Sequence, residues 1–193
     1  MSRLFLYHAS NPNRRKLFVE QLSCEGVRLE KWSLKVMDNV AWISGRSVLA
    51  AYQQKVDEVK EALGYRCADF VTIDSEKNSA VSLRDKYLSE HVHSEHEVRF
   101  FISGSALLFL HVNSQIHTLH CLPGDFLIIP KGMKHWLDMG PKPKYQCIRW
   151  FDSSENLANE LTGSYIAEST PRWEAIMEAS EESLELSNIH QPS

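Results

Sequence analysis

Between residues 91 and 151 the chain is cut into short strands. Val98–Ile102, Leu107–Val112, Ile116–Cys121, Phe126–Ile129, His135–Met139 and Tyr145–Phe151 are brief runs rich in aliphatic and aromatic side chains. Turn residues separate them: Ser103-Gly104, Asn113-Ser114-Gln115, Pro123-Gly124-Asp125, Pro130-Lys131-Gly132 and Gly140-Pro141-Lys142-Pro143. Short strands with turn signals at close intervals argue for a barrel or a double-sheet jelly roll. Residues two apart on such a strand share one face, so the pattern also fixes which side chains can meet inside.

Outside this stretch the texture is mixed. Leu4–Tyr7 reads as a strand, Arg14–Cys24 as a helix that Gly26 ends, and Val27–Trp32 as a half-buried strand. Val48, Leu49, Tyr52, Val56, Val59 and Leu63 recur at helical spacing, with Gly64 as a C-terminal stop. Phe70–Ile73 reads as a strand and residues 80–89 as a short helix. Helical character returns from about Trp173 to Leu186, before a polar end at Gln191-Pro192-Ser193. The expected fold is mainly β, a barrel with an N-terminal α+β extension and a C-terminal helix.

Bulk properties exclude several roles. The 193 residues allow one domain with a real core. A net charge of -4 without any Lys/Arg run gives no footprint for nucleic acid or an anionic membrane. No apolar run approaches the length of a bilayer span, and the start carries no secretory signal pattern. Cys24, Cys67, Cys121 and Cys147 form no CxxC pair, so reduced thiols and a cytoplasmic location are expected.

The chemistry sits in His91-x-His93-x-x-x-Glu97 and, further on, Gly124-x5-Pro130-x-Gly132-x-x-His135. His91 and His93 can project from one strand into a barrel. Ser94-Glu95-His96 can turn the chain so that Glu97 returns to the same point, and His135 comes from another strand. Imidazole and carboxylate donors suit Fe(II), Ni(II), Mn(II) or Zn(II). Four protein ligands on a six-coordinate ion leave two positions for chemistry. His8, His111, His117, His120 and His190 carry no such pattern and are expected to be structural.

The two halves resemble the cupin motifs G(x)5HxH(x)3-4E(x)6G and G(x)5PxG(x)2H(x)3N, with Gly104 closing the first. Asp85 and Met139 stand where those motifs have Gly and Asn. Tyr87–Phe101 is similar to the signature of acireductone dioxygenases, particularly the bacterial type. So are Gly26–Trp32, His135–Gly140 and Ile148–Phe151, and the likeness runs from about residue 20 to 173. It implies a cupin double-stranded β-helix, with a single dioxygenase domain over 1–173, a metal-binding core about 87–152, and a polar, partly helical tail over 174–193. It further implies O2-dependent cleavage of 1,2-dihydroxy-3-keto-5-methylthiopentene in methionine salvage. One divalent ion per chain is expected, Fe(II) giving 4-methylthio-2-oxobutanoate and formate, Ni(II) giving 3-methylthiopropanoate, formate and carbon monoxide. The alternatives are another metal-dependent cupin, either an isomerase or a different dioxygenase, and a non-catalytic cupin that binds a small ligand or senses metal.

The resemblance assigns His91, His93, Glu97 and His135 to the metal and Arg99 to the deprotonated substrate. Arg99 is two residues beyond Glu97 and would face the same interior, where a buried guanidinium needs an anionic partner. Glu90 and His96 are candidates for supporting the ligands or loading the metal. Arg149, Phe100, Trp136 and Leu137 are candidate substrate contacts. The partners expected are a small acireductone and O2, acting on a monomer.

Overall fold

The computed structural model describes residues 3–7, 12–35, 45–76, 80–153 and 158–180. The expected tail helix beyond residue 180, the polar C-terminal end, His8 and His190 lie outside the described residues.

Two sheets face each other. Strands β1 (Arg3–Tyr7), β4 (His91–Val92), β6 (Ala106–Val112), β7 (Gln115–Cys121), β9 (Lys134–Asp138) and β11 (Glu160–Leu161) form one. Their order is β1-β7-β6-β9-β4-β11. The other holds β2 (Arg28–Lys31), β3 (Cys67–Asp74), β5 (Glu97–Gly104), β8 (Asp125–Ile129) and β10 (Lys144–Phe151), in the order β2-β8-β5-β10-β3. Neighbours run antiparallel except β1 and β7, which are parallel. This is the two-sheet β architecture that the turn spacing predicts.

Alternation sorts the side chains. Phe101, Leu108, Leu110, Leu119, Leu127, Ile129, Leu137, Tyr145 and Cys147 fill the space between the sheets. Phe18 and Leu22 of helix α1 (Pro12–Leu22) and Val27 join them. Gly26 ends the segment after α1 in a left-handed conformation (φ 86°), as its place in the sequence suggests. The outer face of the five-stranded sheet carries Val98, Phe100, Phe126, Ile148 and Trp150 under the next two helices.

The helix expected through Val48–Leu63 is two helices, α2 (Gly45–Ala51) and α3 (Gln53–Leu63). The break falls at Tyr52, whose side chain is buried in the outer cluster and whose hydroxyl accepts a bond from the Lys35 backbone N–H at 2.7 Å. The apolar spacing runs across the break, which is why periodicity alone reads one element. Helix α4 (Ala80–Tyr87) then leads into β4.

Beyond β11 and the short helix α5 (Ile166–Ser169), residues 173–180 are helical. Ala167 and Ile176 are buried against Leu107, Phe109, Ile116 and Trp136, with Trp173 and Met177 packed beside them. The described part of the tail therefore covers the outer face of the six-stranded sheet.

Candidate metal centre

His91 lies on β4 and pairs in register with His135 on β9, so both rings enter the interior from adjacent strands. His93 follows at the end of β4, and Glu97 opens β5 on the opposite sheet. Residues 94–96 make the turn between them. All four side chains are buried, and one donor atom from each lies within 4.8 Å of the others.

The rings are aimed by the backbone. His91 Nδ1 meets the Ser89 carbonyl at 2.8 Å, His93 Nδ1 the Ala158 carbonyl at 3.0 Å, and His135 Nδ1 the Met133 carbonyl at 2.8 Å. A carbonyl only accepts, so each Nδ1 carries the proton and each Nε2 presents its lone pair inward. The Nε2 atoms of His93 and His135 both lie 3.0 Å from Glu97 Oε2. Lone pairs facing a carboxylate at that distance require positive charge between them, from protons or from a cation. A single divalent ion satisfies all four donors at once, and the residues fit one.

The electrostatics of the cluster follow from the same contacts. Burial, with the nearby charge of His135, pushes the His91 pKa down to about 4. Burial is the largest single influence on His93 and pulls it down, but the hydrogen bond to Glu97, the Glu97 charge and the Ala158 carbonyl together outweigh it, and the pKa rises. Burial would raise Glu97, yet the charge of Arg99 and the two histidine bonds hold it well below the ordinary carboxylate range. Arg99 Nε donates to Glu97 Oε1, and Nη1 donates to the Tyr145 hydroxyl at 3.1 Å. Buried beside Glu97, Arg99 stays charged.

A model of the ARD/ARD' family matches residues 8–158. The chain belongs to this family. An acireductone dioxygenase of Hahella chejuensis is 37% identical over 185 residues, spanning 92% of this chain and 99% of that one. Acireductone dioxygenase 2 of Pectobacterium atrosepticum is 41% identical over 157 residues, 80% of this chain and 85% of its own length. An acireductone dioxygenase from Bacillus anthracis, solved with a cadmium ion in its active centre, superposes with a TM-score of 0.68 at 22% identity. That alignment covers 76% of this chain and 89% of the other, and supports the fold.

In this ARD-family chain the remaining candidate residues separate clearly. Tyr87, His93, Glu97, Arg99, Arg149 and Asn159 line one cleft. Arg149 pairs in register with Arg99, but its guanidinium is bound to Asp69 at 2.6 and 3.0 Å. Glu90 points away from the four donors. Its carboxylate takes His111 Nδ1 at 2.6 Å and the Thr162 hydroxyl at 2.7 Å. His96 Nδ1 accepts from the Lys131 N–H at 3.1 Å, which ties the turn before Glu97 to the turn before His135.

Two candidate contacts lie on the wrong face. Phe100 is on the outer side of β5, 5.0 Å from the Trp32 ring centroid. Trp136 stacks on Phe109 at 5.0 Å beneath the C-terminal segment. Each is one residue from an inward-facing neighbour, so strand alternation turns it outward. Leu137 does face the interior, within the core cluster. Sequence reasoning missed Tyr145 and Ala158. Alternation from Arg149 could have pointed to Tyr145. Ala158 acts through a backbone carbonyl, which leaves no residue-type signal.

Proposed function

We propose that the protein is an acireductone dioxygenase that cleaves 1,2-dihydroxy-3-keto-5-methylthiopentene with O2 in methionine salvage, on a monomer in the cytoplasm. The observation that carries this reading is the convergence of His91, His93, Glu97 and His135, with Arg99 beside them, in an ARD-family chain. The first four would hold one Fe(II) or Ni(II) ion. When bound, that ion supplies Lewis acidity and a template for an electron-rich enediolate. No described helix is long and apolar enough to cross a membrane.

The chain's own residues set the rest. Three neutral imidazoles and one carboxylate leave net positive charge on a divalent ion, which favours an anionic ligand. The backbone carbonyls at Ser89, Met133 and Ala158 keep the imidazole protons on Nδ1 throughout. Arg99 adds a fixed positive charge in a buried setting, where it is worth more than in water. Tyr145 holds the guanidinium in place. Residues 1–173 are taken to act as one cupin-type domain around this centre.

The test is anaerobic addition of the acireductone to Fe(II)-loaded protein, followed by O2. The enediol absorbance should fall faster than the uncatalysed rate, with formate and 4-methylthio-2-oxobutanoate formed. The Ni(II) form should yield 3-methylthiopropanoate, formate and carbon monoxide. An unaccelerated decay without formate refutes the reading.

A further inference from the structure

The cleft lined by His93 and Glu97 contains a polar group that the metal chemistry leaves unused. Asn159 lines it with His93, Glu97, Arg99 and Arg149. Its side-chain Nδ2 is shielded from solvent and has no hydrogen-bond partner among the described residues. A buried N–H left unmade costs about 1–3 kcal/mol, so such a donor persists where something else compensates for it.

The surroundings hold Asn159 in place. The carbonyl of Ala158, the residue before it, accepts from His93 Nδ1 at 3.0 Å. The residues after it, Glu160 and Leu161, pair with Val92 and His91. Thr162 N–H then bonds the Glu90 carbonyl at 3.1 Å. The strap is thus pinned on both sides of Asn159 to the strand that carries two of the candidate ligands. So fixed a backbone restricts where the amide can point, which lowers part of the ordering cost of binding.

We propose that Asn159 is a substrate-binding residue whose side-chain amide donates a hydrogen bond to an oxygen of the acireductone, the cleft having room for one oxygen-sized group of the substrate and not for the whole molecule. The assignment rests on the proposed activity and deepens it. Arg99 supplies charge to the anion. Asn159 supplies a neutral, directional donor on the His93 side of the cleft. Such a donor discriminates for an oxygen at that position, because an analogue lacking it leaves the amide unpaired.

Three variants test this: Asn159→Leu, Asn159→Gln and Asn159→Asp. Metal content, thermal midpoint, anaerobic affinity for the acireductone and kcat/KM are measured for each. Leu keeps the approximate volume and removes the donor, and should weaken anaerobic binding by about tenfold, the loss of one hydrogen bond to an ionised partner. Its melting temperature should hold or rise, because an unpaired buried N–H is removed. Gln keeps an amide and should recover part of the affinity. Asp replaces the donor with a negative charge facing an anion and should bind most weakly. Metal content should stay at one ion per chain in all three.

Substrate binding unchanged in the Leu variant, with wild-type turnover intact, overturns the role of Asn159 and leaves the activity standing. Loss of binding accompanied by a lower melting temperature or lost metal also overturns it, since that marks a structural role. A wild-type protein that neither binds the acireductone nor forms formate overturns the activity and this assignment together.

Discussion

At the scale of single residues, the centre depends on where protons sit. Each candidate histidine spends its Nδ1 proton on a main-chain carbonyl, so the ligand atoms are chosen by backbone geometry before any ion binds. Arg99 is the one cation in direct contact with the donor set among the described residues, through Glu97. Arg99→Ala should keep close to one metal per chain, because the four donors remain. Its kcat/KM should fall by about 100- to 1,000-fold, the usual consequence of removing one fixed charge-stabilising donor. Metal analysis and steady-state kinetics on the same preparation check this, and unchanged turnover would refute the role. The four donors were legible in the sequence because residue type and spacing carry them. Asn159 was not, since a lone Asn in a polar segment looks like any loop residue until its Nδ2 is seen to be enclosed.

At the scale of elements, strand spacing in the barrel was readable because alternation and turn residues are local signals. What joins the elements was not, because it depends on partners far apart in the chain. Arg84 on α4 shows this. It makes a bidentate contact with Asp138 at the end of β9 (2.8 and 3.1 Å) and reaches Glu174 in the C-terminal helix at 3.0 Å. Asp138 is fully buried and also accepts from the N–H groups of Gly140 and Trp173 at 2.9 Å each. One carboxylate therefore links the helix leading to His91, the strand carrying His135, and the tail. Arg84→Met leaves that charge without its cation and should cost about 3 kcal/mol, as for other broken buried pairs. Urea unfolding measures this, and the added substitution Asp138→Asn should recover part of the loss.

Gly104 illustrates the opposite case, a residue whose place in the motif was visible but whose reason was not. It sits at φ 70°, and a Cβ there would lie 2.0 Å from the Lys144 carbonyl oxygen and 2.6 Å from Tyr145 Cα. The close approach comes where the β5–β10 register slips between Gln146 and Cys147, a bulge next to the inward-facing Tyr145. Gly104→Ala must separate the two strands at that point. It should cost more than about 2 kcal/mol, strain at positive φ adding to the overlap. Equilibrium unfolding tests it, and a loss within 0.5 kcal/mol, roughly the spread of ordinary surface changes, would refute it.

At the scale of the whole molecule, the candidate centre is where the two sheets meet. His91 and His135 belong to the six-stranded sheet and Glu97 to the five-stranded one, so an ion bound by all of them ties the sheets together. No such arrangement exists in the unfolded chain, so metal affinity becomes folding stability. At free metal about one hundred times Kd this adds roughly 2.7 kcal/mol. For a chain of this size that corresponds to about 5–10 °C in Tm. Chelation should therefore lower the melting temperature by this amount, and Fe(II) or Ni(II) should restore it. Glu97→Ala should abolish the metal-dependent shift. It should also melt below the metal-free wild type, because the buried Arg99 loses its carboxylate. A melting temperature unmoved by complete metal removal would mean that the folded chain binds the ion no better than the unfolded chain does, which would refute a metal centre built from these four residues.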